Sequence, residues 1–244
     1  MRSIFFIFFI LICSNIIAQQ FIKIEYEQTK DYGELGKYIG KSSLTLNESE
    51  SLYVEIYNEE REELETEDGN LVISLGSGRM LYFKDYNKNL IFYENTIQLK
   101  HFPTQENIDL LKWEIEPNKT EEILGYTCQA AVAYFRGRTY VAYFTEKLGL
   151  KGGPWKFDGL PGVILKVFST DGYIKIVAES IETKNKFVNI INPYNEIKEF
   201  ITYPQFKDLY TKKYKEINRT EVMDGGGTTT IEIPVCQIEC HITE

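Results

Sequence analysis

Thr127-Cys128-Gln129-Ala130-Ala131-Val132-Ala133-Tyr134-Phe135, then Arg136-Gly137-Arg138, then Thr139-Tyr140-Val141-Ala142-Tyr143-Phe144-Thr145. Two runs of β-branched, aromatic and small apolar residues flank a short connection whose glycine supplies positive φ, which is the pattern of a tight antiparallel hairpin. A second connection of this kind, Thr170-Asp171-Gly172, separates the runs 163–169 and 173–180. Towards the N-terminus the same period of two returns in Phe21, Ile22, Ile24 and Tyr26, in Leu44 and Leu46, in Leu52, Val54 and Ile56, and in Leu71, Ile73 and Leu75. Further strands are predicted at 80–84, 90–93 and 96–101. Alternation of this kind buries one face of a strand and leaves the other wet.

One segment, 202–218, reads as helix. Thr202 and Gln205 form a capping box, Pro204 fits the first turn, and Phe206, Leu209, Tyr210, Tyr214 and Ile217 make an apolar stripe that packs on the sheet. Gly225-Gly226-Gly227 then forms a flexible link to a last strand carrying Ile231, Ile233 and Val235. The fold class that follows is mainly β: a curved antiparallel sheet or half-barrel with one helix packed on it, the alternative being a β-sandwich. The acidic run 59–68 reads as a solvated loop, since it lacks the ordered spacing and glycine turn of a calcium site.

The N-terminus has a different character. Arg2 is followed by an unbroken apolar run from Ile4 to Ile12 and a short polar stretch ending at Ala18, the three-part layout of a secretory signal. Cleavage is predicted after Ala18, which leaves residues 19–244 as a single β-rich domain exported to the periplasm or cell surface. The apolar run falls short of the roughly 20 residues that span a bilayer as a helix. Cys13 follows the bulky Ile12, whereas lipid attachment calls for a small residue there. With 27 Lys and Arg against 36 Asp and Glu, loss of Arg2 takes the net charge from −9 to −10. That sign disfavours nucleic-acid backbones and anionic lipid surfaces as partners.

Three cysteines remain beyond the signal, Cys128, Cys236 and Cys240, an odd number for a compartment in which disulfides persist. On one extended strand Cys236 and Cys240 would stand roughly 13 Å apart, too far to bridge, so a disulfide from Cys128 to one of them is predicted. The same region holds Cys236-x-x-x-Cys240-His241, three soft ligands suited to copper(I) or zinc. Its plainer reading is a terminal disulfide with a spare thiol and a solvent-exposed histidine.

Catalytic motifs do not appear. His101 and His241 are the two histidines, and the sequence has no Gly-x-Ser-x-Gly, no His-Glu-x-x-His and no phosphate-binding glycine loop. His101 reads as an ordinary strand-end residue. The densest local pattern is Lys151-Gly152-Gly153-Pro154-Trp155-Lys156-Phe157-Asp158-Gly159-Leu160-Pro161-Gly162-Val163-Ile164-Leu165. Pro161-Gly162 fits a type II turn with positive φ at the glycine. Structurally this is a loop folded over the sheet and pinned by its aromatics. Functionally it is a ligand or partner loop built from Trp155, Phe157, Leu160 and Pro161.

Several ordered blocks also resemble a known family. They are Gly159-Leu160-Pro161-Gly162-Val163-Ile164, Ile123-Leu124-Gly125-Tyr126-Thr127-Cys128-Gln129-Ala130, Phe135-Arg136-Gly137-Arg138, Tyr143-Phe144-Thr145 and Gly153-Pro154-Trp155-Lys156-Phe157. On these the chain resembles the GLPGLI family of exported bacterial proteins, also called Porph_ging. The resemblance implies export in a Gram-negative bacterium and a mostly antiparallel β domain, and supplies no reaction. By analogy, a curved sheet with a helix against it is similar to periplasmic lipoprotein-carrier folds.

The function these readings predict is that of a non-enzymatic exported binding protein that holds an apolar small molecule or a cell-envelope protein. Aromatic residues at 14% of the chain suffice to line a groove as well as a core. The alternatives are a metal-handling protein using Cys236, Cys240 and His241, and a hydrolase whose carboxylates meet only in three dimensions.

Overall fold

Antiparallel pairing dominates the structure, a computed structural model that describes residues 20–33, 36–57, 64–65, 71–72, 78–185, 189–217, 219–222, 228–231 and 238–242. The strands up to the middle of the chain are β1 (Gln20–Asp31), β2 (Lys37–Leu46), β3 (Glu50–Tyr57), β4 (Leu64–Glu65), β5 (Leu71–Val72), β6 (Gly78–Asp85), β7 (Leu90–Ile97) and β8 (Lys100–Asn107). Then come β9 (Glu114–Ile123), β10 (Tyr126–Phe135), β11 (Arg138–Thr145), β12 (Val163–Ser169), β13 (Ile174–Asn185) and β14 (Ile201–Thr202). The helix α1 (Tyr203–Ile217) precedes β15 (Arg219–Val222) and β16 (Thr228–Ile231).

Twelve strands form one open sheet in the order β14-β8-β7-β6-β3-β2-β1-β13-β12-β11-β10-β9, while β4–β5 and β15–β16 pair separately. Two up-and-down runs, β1 to β8 and β9 to β13, meet where β1 pairs with β13 from Gln20↔Asn185 to Lys30↔Ile174. The sheet is mixed because β14 pairs with β8 in parallel. A single sheet answers the choice left open by the sequence in favour of the curved form over the sandwich.

The curvature follows from one connection. Laid flat, the ten spacings between β8 and β9 would cover about 48 Å at ~4.8 Å each. The seven chain steps from Asn107 to Glu114 reach at most about 25 Å. The sheet must therefore curl until its two edges approach, and the inner face becomes the core. Ile22, Ile24, Tyr26, Tyr53, Tyr82, Tyr93, Tyr140 and Ile176 all lie in one buried cluster, each contributing on the order of 2 kcal/mol by burial. On the outer face, Ile190, Tyr194 and Phe200 cover Phe83, Leu81 and Phe92, and the Tyr194 hydroxyl donates to the Leu81 carbonyl at 2.7 Å.

The helix forms where the capping box places it: the Thr202 N–H donates to the Gln205 side-chain oxygen at 2.8 Å. Its buried stripe is Tyr203, Phe206 and Tyr210, which pack with Ile97 at the end of β7, Phe102 near the start of β8 and Ile201 of β14. Leu209 stands largely exposed, so the apolar stripe is narrower than the sequence implies.

Elsewhere the structure corrects the reading. The run 96–101 is two strand ends joined by a turn at Gln98 and Leu99, with Gln98 at φ 55 and no glycine to announce it. The strand β9 is charged, carries Pro117 and is mostly exposed because it forms the sheet edge, where alternation is not enforced. Gly162 does not take positive φ; Gly159 does, at 91°. Gly162 is required for space instead, since a Cβ there would overlap the Thr145 carbonyl. The signal peptide at 1–18, Ile73, Leu75, Ile233, Val235 and nearly all of the acidic run lie outside the described residues.

Candidate functional site

The connection 146–162 between β11 and β12 folds back over the inner face of the sheet. Trp155, at φ 50, turns its ring into the core, with centroids 4.8 Å from Phe157 and 6.4 Å from Phe135 and from Tyr82. Trp155, Phe157 and Leu160 are buried, and Pro161 is exposed. A ring sealed in this way fills the core and offers no face to a partner. The loop is pinned by Lys84 of β6, whose ammonium donates to the carbonyls of Gly153 and Phe157 at 3.0 and 3.2 Å and pairs with Asp158 at 2.9 Å. Tyr86 completes that group by donating to Asp158 at 3.1 Å.

Between the two aromatics, Lys156 points into a second and larger group of charges. Its ammonium is 2.5 Å from Glu239 and 4.0 Å from Glu106 of β8, and 3.9 Å from the centre of the Tyr93 ring. Arg136 pairs with both Glu106 and Glu239 and lies over the ring of Tyr203 at 3.1 Å. Tyr93 donates to Glu106 at 2.5 Å. Arg136 reaches this position because it occupies the first place of a two-residue hairpin turn with Gly137, both at positive φ. A non-glycine residue there costs roughly 1 kcal/mol or more.

Glu239 comes from a short segment, residues 238–242, that seats itself among these groups. Tyr140 donates to the Ile238 carbonyl at 2.5 Å, and the Cys240 N–H donates to the Arg136 carbonyl at 2.9 Å. His241 is enclosed by Tyr203, Phe206 and Tyr210, with ring centroids 5.9, 5.3 and 4.7 Å away. Its Nδ1 is 3.1 Å from the Tyr203 hydroxyl. Gly137 makes room for the segment: a Cβ there would sit 2.6 Å from the Cys240 sulfur.

Burial sets the electrostatics. It pushes the Lys156 ammonium down from its ordinary range, an effect that Glu239 and Glu106 oppose. For Glu239 burial pushes up, but the adjacent Lys156 and Arg136 charges win and hold its carboxyl below the ordinary value. His241 is pushed down to about 4, first by burial and then, against Glu239, by Lys156 and Arg136, so it is neutral near pH 7. Among the described residues no buried side-chain nitrogen or oxygen lacks a hydrogen-bond partner. Chemically the group surrounds the Glu239 carboxylate with two cations and sets an imidazole among aromatic rings two residues on.

The cysteines do not follow the predicted pairing. Cys128 is a buried free thiol, and Cys240 is disulfide-bonded. The partner of Cys240 lies outside the described residues, as does Cys236. A thiol engaged in a disulfide is not a metal ligand, and His241 is sealed among aromatics instead of facing solvent. His101 is exposed, 3.5 Å from Glu94. The residues that sequence reasoning missed are Glu106, Arg136, Lys156 and Glu239. The one local signal was a lysine held between two aromatics in a glycine-constrained loop.

Residues 87–208 match the family described as N-glycanase peptide, N-terminal domain. The chain belongs to that family. This overturns the resemblance to the GLPGLI family: the blocks that suggested it are glycine turns and core-facing aromatics, which report local packing demands and do not single out one lineage. No curated protein sequence matches. Two structures of PNGF-II superpose with TM-scores of 0.51 and 0.52 at 18% identity, over 80% of this chain and 33% and 34% of theirs. The chain thus spans about a third of the length of those proteins. A LolA superfamily protein from Nitrosomonas europaea superposes at a TM-score of 0.28 with 5% identity, over 72% of this chain and 89% of that one. That likeness is too loose to carry over any property.

Proposed function

We propose that this chain is an exported, non-catalytic binding domain that holds a polypeptide. The observation that carries the reading is the seat of residues 238–242, where groups from β8, β11, the 146–162 loop, the turn after β10 and helix α1 converge on one short peptide segment. Membership of a family described as the N-terminal domain of an N-glycanase supports a role beside a glycoprotein-processing unit, as does a span of about a third of the matched structures. An apolar ligand inside the sheet is disfavoured, because Trp155, Phe157 and Leu160 together with Lys84 and Lys156 already fill that space. The metal-handling reading is weakened by the disulfide at Cys240. Export rests on the Arg2 to Ala18 sequence pattern.

The test is calorimetric titration of the full mature chain with a denatured acidic glycoprotein, with dodecanoate, and with zinc, alongside an assay for release of N-linked glycan. Binding of the polypeptide without glycan release is the expected result. Glycan release would replace the reading with an enzymatic one. Uptake of dodecanoate or zinc alone would replace it with a carrier or a metal-handling protein.

A further inference from the structure

The groups that hold residues 238–242 all lie on other elements of the fold. Tyr140 of β11, Arg136 after β10, Lys156 of the loop, Glu106 of β8 and the rings of Tyr203, Phe206 and Tyr210 belong to the curled sheet and its helix. Without Glu239, the buried Lys156 and the half-buried Arg136 face the single carboxylate of Glu106, so the site is left one negative charge short. The main chain on either side of Glu239 is also read, by the Tyr140 hydroxyl at the Ile238 carbonyl and by the Arg136 carbonyl at the Cys240 N–H. Carboxylate, flanking peptide groups and a ring two residues on are thus each recognised by a separate element.

We propose that residues 238–242 are a resident ligand, and that the site they occupy is a recognition site for acidic peptides of the form Glu-x-His, or Glu-x-aromatic, presented by a partner protein. The proposal rests on the binding role above and names its ligand class. Two features argue for a partner segment with an acid at its centre. The buried Lys156 and the half-buried Arg136 select a carboxylate and reject an amide or an apolar side chain, because either would leave a cation uncompensated. The cage of Tyr203, Phe206 and Tyr210 is a planar slot that an imidazole fills here and another aromatic ring can fill as well. Gly137 leaves room for the side chain of the residue between the acid and the ring, here Cys240.

The experiment uses the full chain carrying Glu239→Ala, which disengages the resident carboxylate, and a labelled peptide Gln-Ile-Glu-Ser-His-Ile-Thr-Glu read by fluorescence anisotropy. The variant is expected to bind the peptide at least tenfold more tightly than the wild type. A peptide with Gln in place of Glu is expected to lose at least tenfold. Equal binding of the two peptides, or no binding by a variant that circular dichroism shows to be folded, overturns the proposal. Should Glu239→Ala fail to fold, amide exchange in the wild type decides. The Cys240 N–H is expected to exchange at least tenfold faster than the amides of the β1–β13 ladder. Exchange as slow as that ladder makes the segment a permanent part of the core and overturns the proposal. If the folded variant refuses the peptide while the wild type still binds the denatured glycoprotein, the binding role stands and its seat is elsewhere.

Discussion

Glu106 and Arg136 form a two-pronged ion pair although β8, which carries Glu106, is second from one edge of the sheet and β10, which Arg136 follows, is second from the other. The contact spans the mouth of the curl, where no strand pairing among the described residues closes it. Covalent continuity through 108–113 brings the edges near each other, and this pair fixes how near.

Removing one partner should therefore unfasten the curl. Glu106→Gln leaves Arg136 and Lys156 sharing Glu239 alone, and breaking a part-buried pair of this kind costs up to about 3–5 kcal/mol. Urea denaturation followed by tryptophan fluorescence is expected to show that loss. A change under about 1 kcal/mol would mean that solvent already screens the pair.

Stability should fall with acid in two steps. His241 has a folded value of about 4 against an unfolded value near 6.5, so its contribution is complete above pH 6.5 and is lost as pH falls towards 4. The groups facing it are Glu239, Lys156, Arg136, Lys207, Tyr203 and Tyr210. The linkage amounts to about 3 kcal/mol at most. Glu239, held below its ordinary value, keeps its contribution until pH drops beneath about 4. Thermal melts at several pH values should show the first step in the wild type and a flat response over that interval in His241→Phe.

Trp155 and Pro161 lie six residues apart in the loop that the sequence nominated for binding, and substitutions at the two should differ sharply in cost. Trp155→Ala empties a site walled by Phe135, Phe157 and Tyr82 and should cost about 3–5 kcal/mol. Pro161→Ala, at an exposed position, should change stability by less than about 1 kcal/mol. Chemical denaturation of the two variants side by side distinguishes a core anchor from a surface one.

Cys128 should be inert. Burial pushes its thiol up to about 11, and its sulfur donates only weakly, to the Tyr126 carbonyl at 3.4 Å. Iodoacetamide at pH 8 is expected to leave the folded protein unlabelled at this position and to modify it fully in guanidinium, as read by peptide mass spectrometry. Rapid labelling of the folded chain would mean that β10 opens locally.

The regular parts of the fold were open to inspection because burial on one face imposes a period of two. The hairpin of β10 and β11, the strand β12 and the capped helix all announce themselves this way. The turn at Gln98 and the edge strand β9 did not, since one uses a residue type that rarely adopts positive φ and the other has no buried face to impose a pattern. The charge cluster was illegible for a different reason. Glu106, Arg136, Lys156 and Glu239 come together only through the curl, and the curl depends on sheet order, which local patterns do not encode.

The pairing of Gln20 with Asn185 has a kinetic meaning as well. Each of the two strand runs can assemble from neighbouring hairpins as its sequence becomes available. The inner face can close only when β13 meets β1, a contact between distant parts of the chain whose loop-closure entropy makes it slow. Until then β1 is an open edge. Folding of this domain thus has a late zippering event at its centre, and mutations along that seam will slow folding more than mutations in either half.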